Sequence, residues 1–125
     1  MIKHLVNVVK SVIHETKKSN VRSPLWPEVE KKFLKENPTC AACGSKNRLQ
    51  VHHIKPYHLF PSLELRNDNL ITLCMDENEC HLLIGHGDNF KAYNPNVIED
   101  SAKAFLNSEM RSIIVENAKK NRVLL

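Results

Sequence analysis

The stretch that decides the fold runs from Cys40 to His86 and reads CAACGSKNRLQVHHIKPYHLFPSLELRNDNLITLCMDENECHLLIGH. It holds all four cysteines of the chain and five of its seven histidines. The cysteines form two pairs, Cys40/Cys43 and Cys74/Cys80, with 30 residues between the pairs. Two pairs of thiolates suit a tetrahedral Zn²⁺ site, and nearby imidazoles suit a second, open metal site that performs chemistry. The sequence therefore predicts a small module with two metal sites.

The cysteines also allow two other interpretations. Cys74 lies in an apolar stretch and can be a simple buried cysteine, since five residues separate it from Cys80 where roughly two to four are usual. Disulfide pairing is the second alternative. The N-terminus shows no signal peptide, which favours a reducing cytoplasm, where paired cysteines are more often metal sites than disulfides.

Length and charge indicate one small domain and leave its partner open. The chain has 125 residues, 42% of them hydrophobic, and a formal net charge of +4. Residues 1–37 hold eight Lys and Arg against four acidic residues, whereas residues 38–98 hold five against six. This basic excess fits flanking helices that bind a polyanion, and it equally fits lysines that merely solvate helix faces. No run approaches the roughly 20 apolar residues of a membrane span, so no membrane association is predicted.

Hydrophobic periodicity predicts helices on both sides of the cysteine module. They cover residues 2–18, about 27–36 and 96 to about 119. A capping box of Asn96 and Glu99 opens the last of them. A further short helix begins at His81 and is cut off by Gly85 and Gly87.

Two strands are predicted inside the module, at residues 49–54 and 69–74, with an irregular loop between them. The expected architecture is a single α+β domain over residues 1–125. It comprises a helical N-terminal extension over 1–37, a zinc-stapled core over 38–90 and a C-terminal helix over 96–120.

The pair His52-His53 is the most informative histidine motif. Neighbouring side chains on a strand point to opposite faces, so one imidazole can face a metal and the other a substrate. A neutral imidazole, with a usual pKa of about 6.5, suits a general base that acts on water. His81 is placed to complete the metal site across the hairpin. The remaining histidines are given no role in a site: His4, His14 and His58.

The order and spacing of these motifs resemble those of the HNH endonucleases, the ββα-metal nucleases. The resemblance covers about residues 22–98. It rests on Cys40-x2-Cys43, Val51-His52-His53-Ile54, Asn69-Leu70-Ile71-Thr72-Leu73-Cys74 and Cys80-His81. The segment from Arg22-Ser23-Pro24-x-Trp26-Pro27 to Pro38-Thr39-Cys40 is similar to that of bacteriophage and prophage members.

The resemblance implies a treble-clef-like ββα-metal core and a metal-dependent hydrolysis of DNA phosphodiester bonds. It implies that His53 is the general base and that Asn69 braces the loop between the strands as the second catalytic position. His52 and His81 correspond to ligands of the catalytic cation. His86 is a further candidate ligand, although it follows His81 at x4 where some family members have a histidine at x3.

The cofactors implied are a structural Zn²⁺ on the four cysteines and a catalytic Mg²⁺, Mn²⁺, Ni²⁺ or Zn²⁺. The implied substrate is double-stranded DNA in the cytoplasm of a bacterial host, and a phage terminase or another phage protein is a candidate partner. The alternative is a non-catalytic zinc-knuckle module that binds nucleic acid or another protein. His53 argues against that alternative, because zinc coordination does not need it.

Overall fold

The computed structural model describes residues 22–125, so the predicted helix over residues 2–18 lies outside the described residues, as do His4 and His14. The main elements are α1 Trp26–Glu36, β1 Leu49–His53, β2 Leu70–Cys74, a π-helical turn His81–Gly85, β3 Ala92–Tyr93, α2 Val97–Leu106, α3 Arg111–Asn121 and β4 Val123–Leu124. Short 3-10 turns cover Pro61–Leu63, Asn67–Asn69 and Ser108–Met110. No helix between residues 22 and 125 is both long enough and apolar enough to cross a membrane.

The centre of the fold is an antiparallel hairpin of β1 and β2, whose register runs from Leu49 opposite Cys74 to His53 opposite Leu70. One face of the hairpin packs on α1, where Val51 and Leu70 form a small core with Phe33. The other face carries Leu73 into the main core. Side chains therefore alternate between the two faces of the hairpin along each strand, as the period of two requires, and Gln50 is the exposed member of β1.

The main core is built around the four cysteines and joins the hairpin to the two C-terminal helices. Its members are buried or nearly so: Cys40, Ala42, Leu73, Cys74, Cys80, Ile84, Val97, Ala104 and Ile114. A domain this small has little apolar volume to spare, so its stability depends on what holds the cysteines together.

Asn69 closes the loop that connects the two strands. Its Nδ2 donates hydrogen bonds to the carbonyl oxygens of Lys55 (3.0 Å) and Leu63 (3.2 Å). Its Oδ1 accepts a hydrogen bond from the Lys55 amide at 2.9 Å. The side chain is buried, so these three bonds satisfy its polar atoms and fix the loop on the hairpin.

The single C-terminal helix predicted over residues 96–120 is wrong, since α2 and α3 are separate helices. Asn107 has an extended backbone, with φ −146° and ψ 96°, and its side chain accepts a hydrogen bond from the Glu109 amide at 3.1 Å. This local bond competes with the helix, a known tendency of asparagine. The apolar periodicity continues across the break, which is why the sequence did not reveal it.

The predicted capping box is also absent. The Asn96 side chain makes no capping hydrogen bond. Instead, the Asn96 amide donates to Oδ1 of Asn94 at 3.0 Å. Asn94 is fully buried, and its Nδ2 also donates to Asp100 Oδ2 (2.8 Å) and to the Ile84 carbonyl (3.0 Å). The start of α2 is thus fastened to the π-helical turn rather than capped by its own side chains.

Candidate metal centres and active site

The sulfur atoms of Cys40, Cys43, Cys74 and Cys80 lie within 4.8 Å of one another. The Sγ atoms of Cys43 and Cys74 are 3.6 Å apart. Four sulfurs at about 2.3 Å from a tetrahedral Zn²⁺ are separated by about 3.8 Å, so the cluster has the dimensions of a zinc site. The hairpin brings the two cysteine pairs together because Leu49 and Cys74 are directly opposite in the register.

Local turns on both sides of the cluster aim the sulfurs inward. On the first side, the Gly44 amide donates to the Cys40 carbonyl at 2.9 Å, and Gly44 adopts φ +78°, a conformation that glycine reaches without strain. On the second side, the Glu79 amide donates to the Asp76 carbonyl at 2.8 Å. This extra turn takes up the wide spacing between Cys74 and Cys80.

Hydrogen bonds and burial shift the ionisation of three of these thiols, those of Cys40, Cys74 and Cys80. A hydrogen bond from the Cys80 thiol lowers the pKa of Cys40 to about 4. The same bond, together with burial, raises the pKa of Cys80, and burial raises the pKa of Cys74. Nη1 of Arg111 in α3 donates to Cys80 Sγ at 3.3 Å. Four adjacent sulfurs, three of them on buried residues, cannot all ionise side by side unless a cation neutralises them, so the donor set fits Zn²⁺.

A second cluster brings together His52 from β1, His81 at the start of the π-helical turn and His86 directly after it, with one nitrogen of each ring within 4.8 Å of the others. In an α-helix, residues five apart point in different directions. Here the His86 amide donates to the His81 carbonyl at 3.1 Å, the bond that defines a π turn. This geometry sets the two rings side by side, with their Nε2 atoms 3.2 Å apart. The spacing of four residues between His81 and His86 therefore allows both side chains to bind the same metal ion.

Hydrogen bonds at the far side of the rings fix their tautomers. His81 Nδ1 lies 2.6 Å from Gln50 Oε1, and His86 Nδ1 lies 2.7 Å from the Ala92 carbonyl. Both acceptors are oxygens, so each Nδ1 carries the proton and each Nε2 presents a lone pair. Two lone pairs that face each other at this distance repel unless a cation shares them.

His52 supplies the third donor and is almost fully buried. Its Nε2 has no hydrogen-bond partner among the described residues, which is costly for a buried polar atom. Burial lowers the pKa of all three imidazoles, to about 4 for His81, so the rings are neutral near pH 7. A divalent cation would give His52 Nε2 its missing partner, and the three residues fit such an ion.

Gly85 leaves room for the His52 ring. A Cβ at this position would lie 3.2 Å from His52 Cε1 and Nδ1, and 3.1 Å from Leu73 Cδ1. We expect Gly85→Ala to displace the imidazole, to weaken metal binding at the histidine cluster and to cost about 1–3 kcal/mol of stability through overpacking. Cobalt titration followed by visible absorption, together with thermal melting, measures both effects.

Ile114→Val is the matched control for that substitution. It loosens the same core by about 0.5–1.5 kcal/mol without touching His52. Loss of stability without loss of cobalt affinity is expected for the control. The same pattern in Gly85→Ala would contradict the assigned role of Gly85.

His53 points away from the histidine cluster, toward α1. Its ring centroid is 4.4 Å from that of Trp26, and its Nε2 lies 2.9 Å from the Glu64 carbonyl. Because a carbonyl only accepts, Nε2 carries the proton and Nδ1 keeps a lone pair. Burial lowers the pKa of His53, so the ring is neutral at neutral pH. It therefore has the form that a proton acceptor requires.

His53 and the histidine cluster share one cleft of about 300 Å³. The strand places the two rings on opposite faces, as predicted, but both reach the cleft at the end of the hairpin. Other side chains that line it are Arg22, Trp26, Tyr57, His58, Phe90, Tyr93 and Leu125. Thus His58, which the sequence analysis left without a role, lies at the cleft wall.

Sequence reasoning missed Gln50 and Glu64. Gln50 shares a strand face with His52, so the alternation contained a signal for it. Glu64 lies in the irregular loop, where no periodicity marks a residue. It is nevertheless buried, at 4% exposure, and its carbonyl accepts the hydrogen bond from His53.

In a comparison with protein families, residues 40–87 match the model described as HNH endonuclease. The matched segment contains both clusters and His53. Comparison with curated proteins and with solved structures gives no match. The mixed helix and small-sheet architecture predicted from the sequence is confirmed.

Proposed function

We propose, on the premise that this chain carries an HNH endonuclease domain over residues 40–87, that it is a metal-dependent endonuclease that hydrolyses DNA phosphodiester bonds. One observation carries the proposal: four neutral imidazoles line one cleft, and three of them are arranged as metal ligands while the fourth is arranged as a proton acceptor. Three turn a nitrogen toward a common point, with His52 Nε2 left without a partner, while His53 keeps its Nδ1 lone pair. A purely structural zinc module needs none of them, because the cysteines suffice.

His53 is the proposed general base. It accepts a proton at Nδ1 from the water that attacks phosphorus, and the Glu64 carbonyl stabilises the resulting imidazolium through its bond to Nε2. General-base assistance contributes about 10²–10⁴-fold to such reactions. Asn69 supports the base indirectly, because it fixes the loop that carries Glu64.

His52, His81 and His86 are the proposed ligands of the catalytic cation. When bound there, the cation supplies Lewis-acid stabilisation of the phosphate charge and of the leaving 3′-oxygen. Neutral imidazoles leave the charge of the ion intact, which favours interaction with a phosphate. An all-imidazole donor set also favours Ni²⁺ or Zn²⁺ over Mg²⁺, which prefers oxygen ligands.

The proposed substrate is double-stranded DNA, and the proposed compartment is the reducing cytoplasm of a bacterial host, where four cysteines remain available to bind structural Zn²⁺. A phage terminase or another phage protein is proposed as a partner on the resemblance of the segment over residues 22–40.

Supercoiled plasmid is the direct test. The protein is treated briefly with EDTA under conditions that retain one zinc per chain, and is then assayed with Mg²⁺, Mn²⁺, Ni²⁺ or Zn²⁺. We expect no cleavage without added metal and restored cleavage with it, most strongly with Ni²⁺ or Zn²⁺. Conversion to open-circular and linear forms on agarose measures the rate.

His81→Ala, purified in parallel, controls for contaminating nucleases. It is expected to bind plasmid but to cut it far more slowly at the same metal concentration. A protein that binds DNA and cuts none under any metal would instead be the non-catalytic nucleic-acid-binding module.

A further inference from the structure

Arg22 lies at the wall of the cleft beside the proposed base. Its Nε donates to Glu64 Oε2 at 2.6 Å. Its guanidinium carbon lies 4.1 Å from the centroid of the Tyr57 ring and 5.3 Å from that of Trp26. A carboxylate and two aromatic rings therefore hold the plane of the guanidinium in one orientation, which removes much of the freedom of a long side chain.

The two terminal nitrogens of Arg22 remain available for a ligand. Among residues 22–125, neither Nη1 nor Nη2 has a hydrogen-bond partner, and 40% of the side chain is exposed. A guanidinium fixed through Nε and open at both Nη atoms matches two oxygens of a phosphate. Its position on the cleft that also contains His53 puts that fork where a bound DNA strand would run.

We propose that Arg22 is a phosphate-binding residue of this cleft. It binds a backbone phosphate of the same DNA strand whose hydrolysis His53 assists as general base. The inference deepens the proposed function and rests on it. It assigns Arg22 to substrate binding and gives Glu64 the part of a positioning residue.

Glu64 ties the phosphate contact to the base. Its carboxylate accepts from Arg22 Nε and from the Ser23 amide (3.0 Å), while its backbone carbonyl accepts from His53 Nε2. One buried residue, Glu64, thus fixes the positions of both the Arg22 guanidinium and the His53 imidazole. Because Glu64 holds both side chains, it fixes the distance between the phosphate bound by Arg22 and the phosphorus atom that is attacked. Such fixed positioning is a condition for efficient catalysis.

Arg66 is a second arginine that pairs with a carboxylate, but it has no proposed role in binding DNA. Its Nε and Nη2 both donate to the carboxylate of Asp68, and its side chain is 35% exposed, close to the value for Arg22. It is not part of the cleft wall. Arg66→Ala therefore removes an equal charge from an arginine that also pairs with a carboxylate but lies outside the cleft, and it is the matched control.

Binding of a fluorescent DNA duplex, measured by anisotropy over a range of salt concentrations, tests the proposal. All proteins carry His53→Ala so that the duplex stays intact. Arg22→Ala is expected to weaken binding about tenfold at low salt and to reduce the slope of log K against log salt by about 0.9, the value for one phosphate contact. Arg66→Ala should leave the slope unchanged.

Arg22→Lys keeps the charge but loses the fork and the stacking, so it should restore the slope and only part of the affinity. Thermal melting of each variant separates a lost contact from a lost fold. An Arg22→Ala slope equal to that of Arg66→Ala would overturn the proposal.

Cleavage by the otherwise unaltered protein distinguishes the two levels of inference. If that protein cuts plasmid while Arg22→Ala binds duplex normally, only the role of Arg22 fails. If it cuts nothing but the Arg22-dependent slope persists, the phosphate contact stands and the nuclease function fails. If it binds no duplex at all, both fail.

Discussion

Replacement of His53 by alanine is expected to reduce DNA cleavage by about 10²-fold or more while fold, zinc content and DNA binding stay nearly intact. The reason lies in where the ring is held. Its Nε2 donates to the Glu64 carbonyl, so its removal breaks one hydrogen bond but touches neither the cysteine cluster nor the three other imidazoles. Single-turnover cleavage of a defined duplex, with metal in excess, isolates the chemical step.

His58→Ala is the matched control, because it removes another imidazole from the wall of the same cleft. It is expected to keep most of the cleavage rate. Elemental analysis and duplex binding of both variants verify that neither has lost zinc or its grip on DNA. A His53→Ala protein that cuts at the rate of the unaltered protein would assign the proton transfer to another group.

Loss of the cysteine-bound zinc is expected to unfold the domain. The cysteines are not an appendage, since Cys40, Cys74 and Cys80 are core residues that contact Leu73, Ile84 and the C-terminal helices. Binding of structural zinc is worth roughly 10–16 kcal/mol in small zinc domains, as much as or more than the total stability of a typical domain. Cys40→Ser and Cys80→Ser should therefore lose zinc, helical circular dichroism and the cooperative melting transition.

Removal of the zinc from the unaltered protein with a strong pyridine-based zinc chelator provides the same test without a substitution. About one tightly held zinc per chain is expected by elemental analysis, and its removal should coincide with unfolding. His81→Ala serves as the control, because it alters the histidine cluster and should retain the structural zinc and a nearly unchanged melting temperature. A zinc-free protein that melts at the original temperature would refute the structural role.

The prediction of the cysteine cluster succeeded because its signal is compositional. Only thiolates in two closely spaced pairs were available as soft ligands, and the hairpin between them follows from two short runs of β-branched residues. The x5 spacing between Cys74 and Cys80 made the second pair doubtful. The turn from Asp76 to Glu79 resolves that doubt, but such a turn leaves little trace in the sequence.

The strand alternation likewise predicted that His52 and His53 face opposite ways, since the period of two is a local property of the backbone. Their hydrogen-bond partners were beyond reach. Glu64 is 11 residues from His53, and its contact is made through a carbonyl group, which every residue possesses. No side-chain pattern can announce a bond of that kind.

The sequence by itself determined which residue types can bind metal, where the strands lie and that residues 40–87 match the family model described as HNH endonuclease. Only the tertiary structure decided that His86 joins His81, because the π turn depends on Asn94, whose amide and side chain bond the Gly85 and Ile84 carbonyls. It also decided that α2 and α3 are separate helices. Periodicity records which face of an element is apolar, whereas ligand geometry depends on hydrogen bonds between residues far apart in the chain. One example is the hydrogen bond of 2.6 Å between His81 Nδ1 and Gln50 Oε1, which joins residues 31 positions apart.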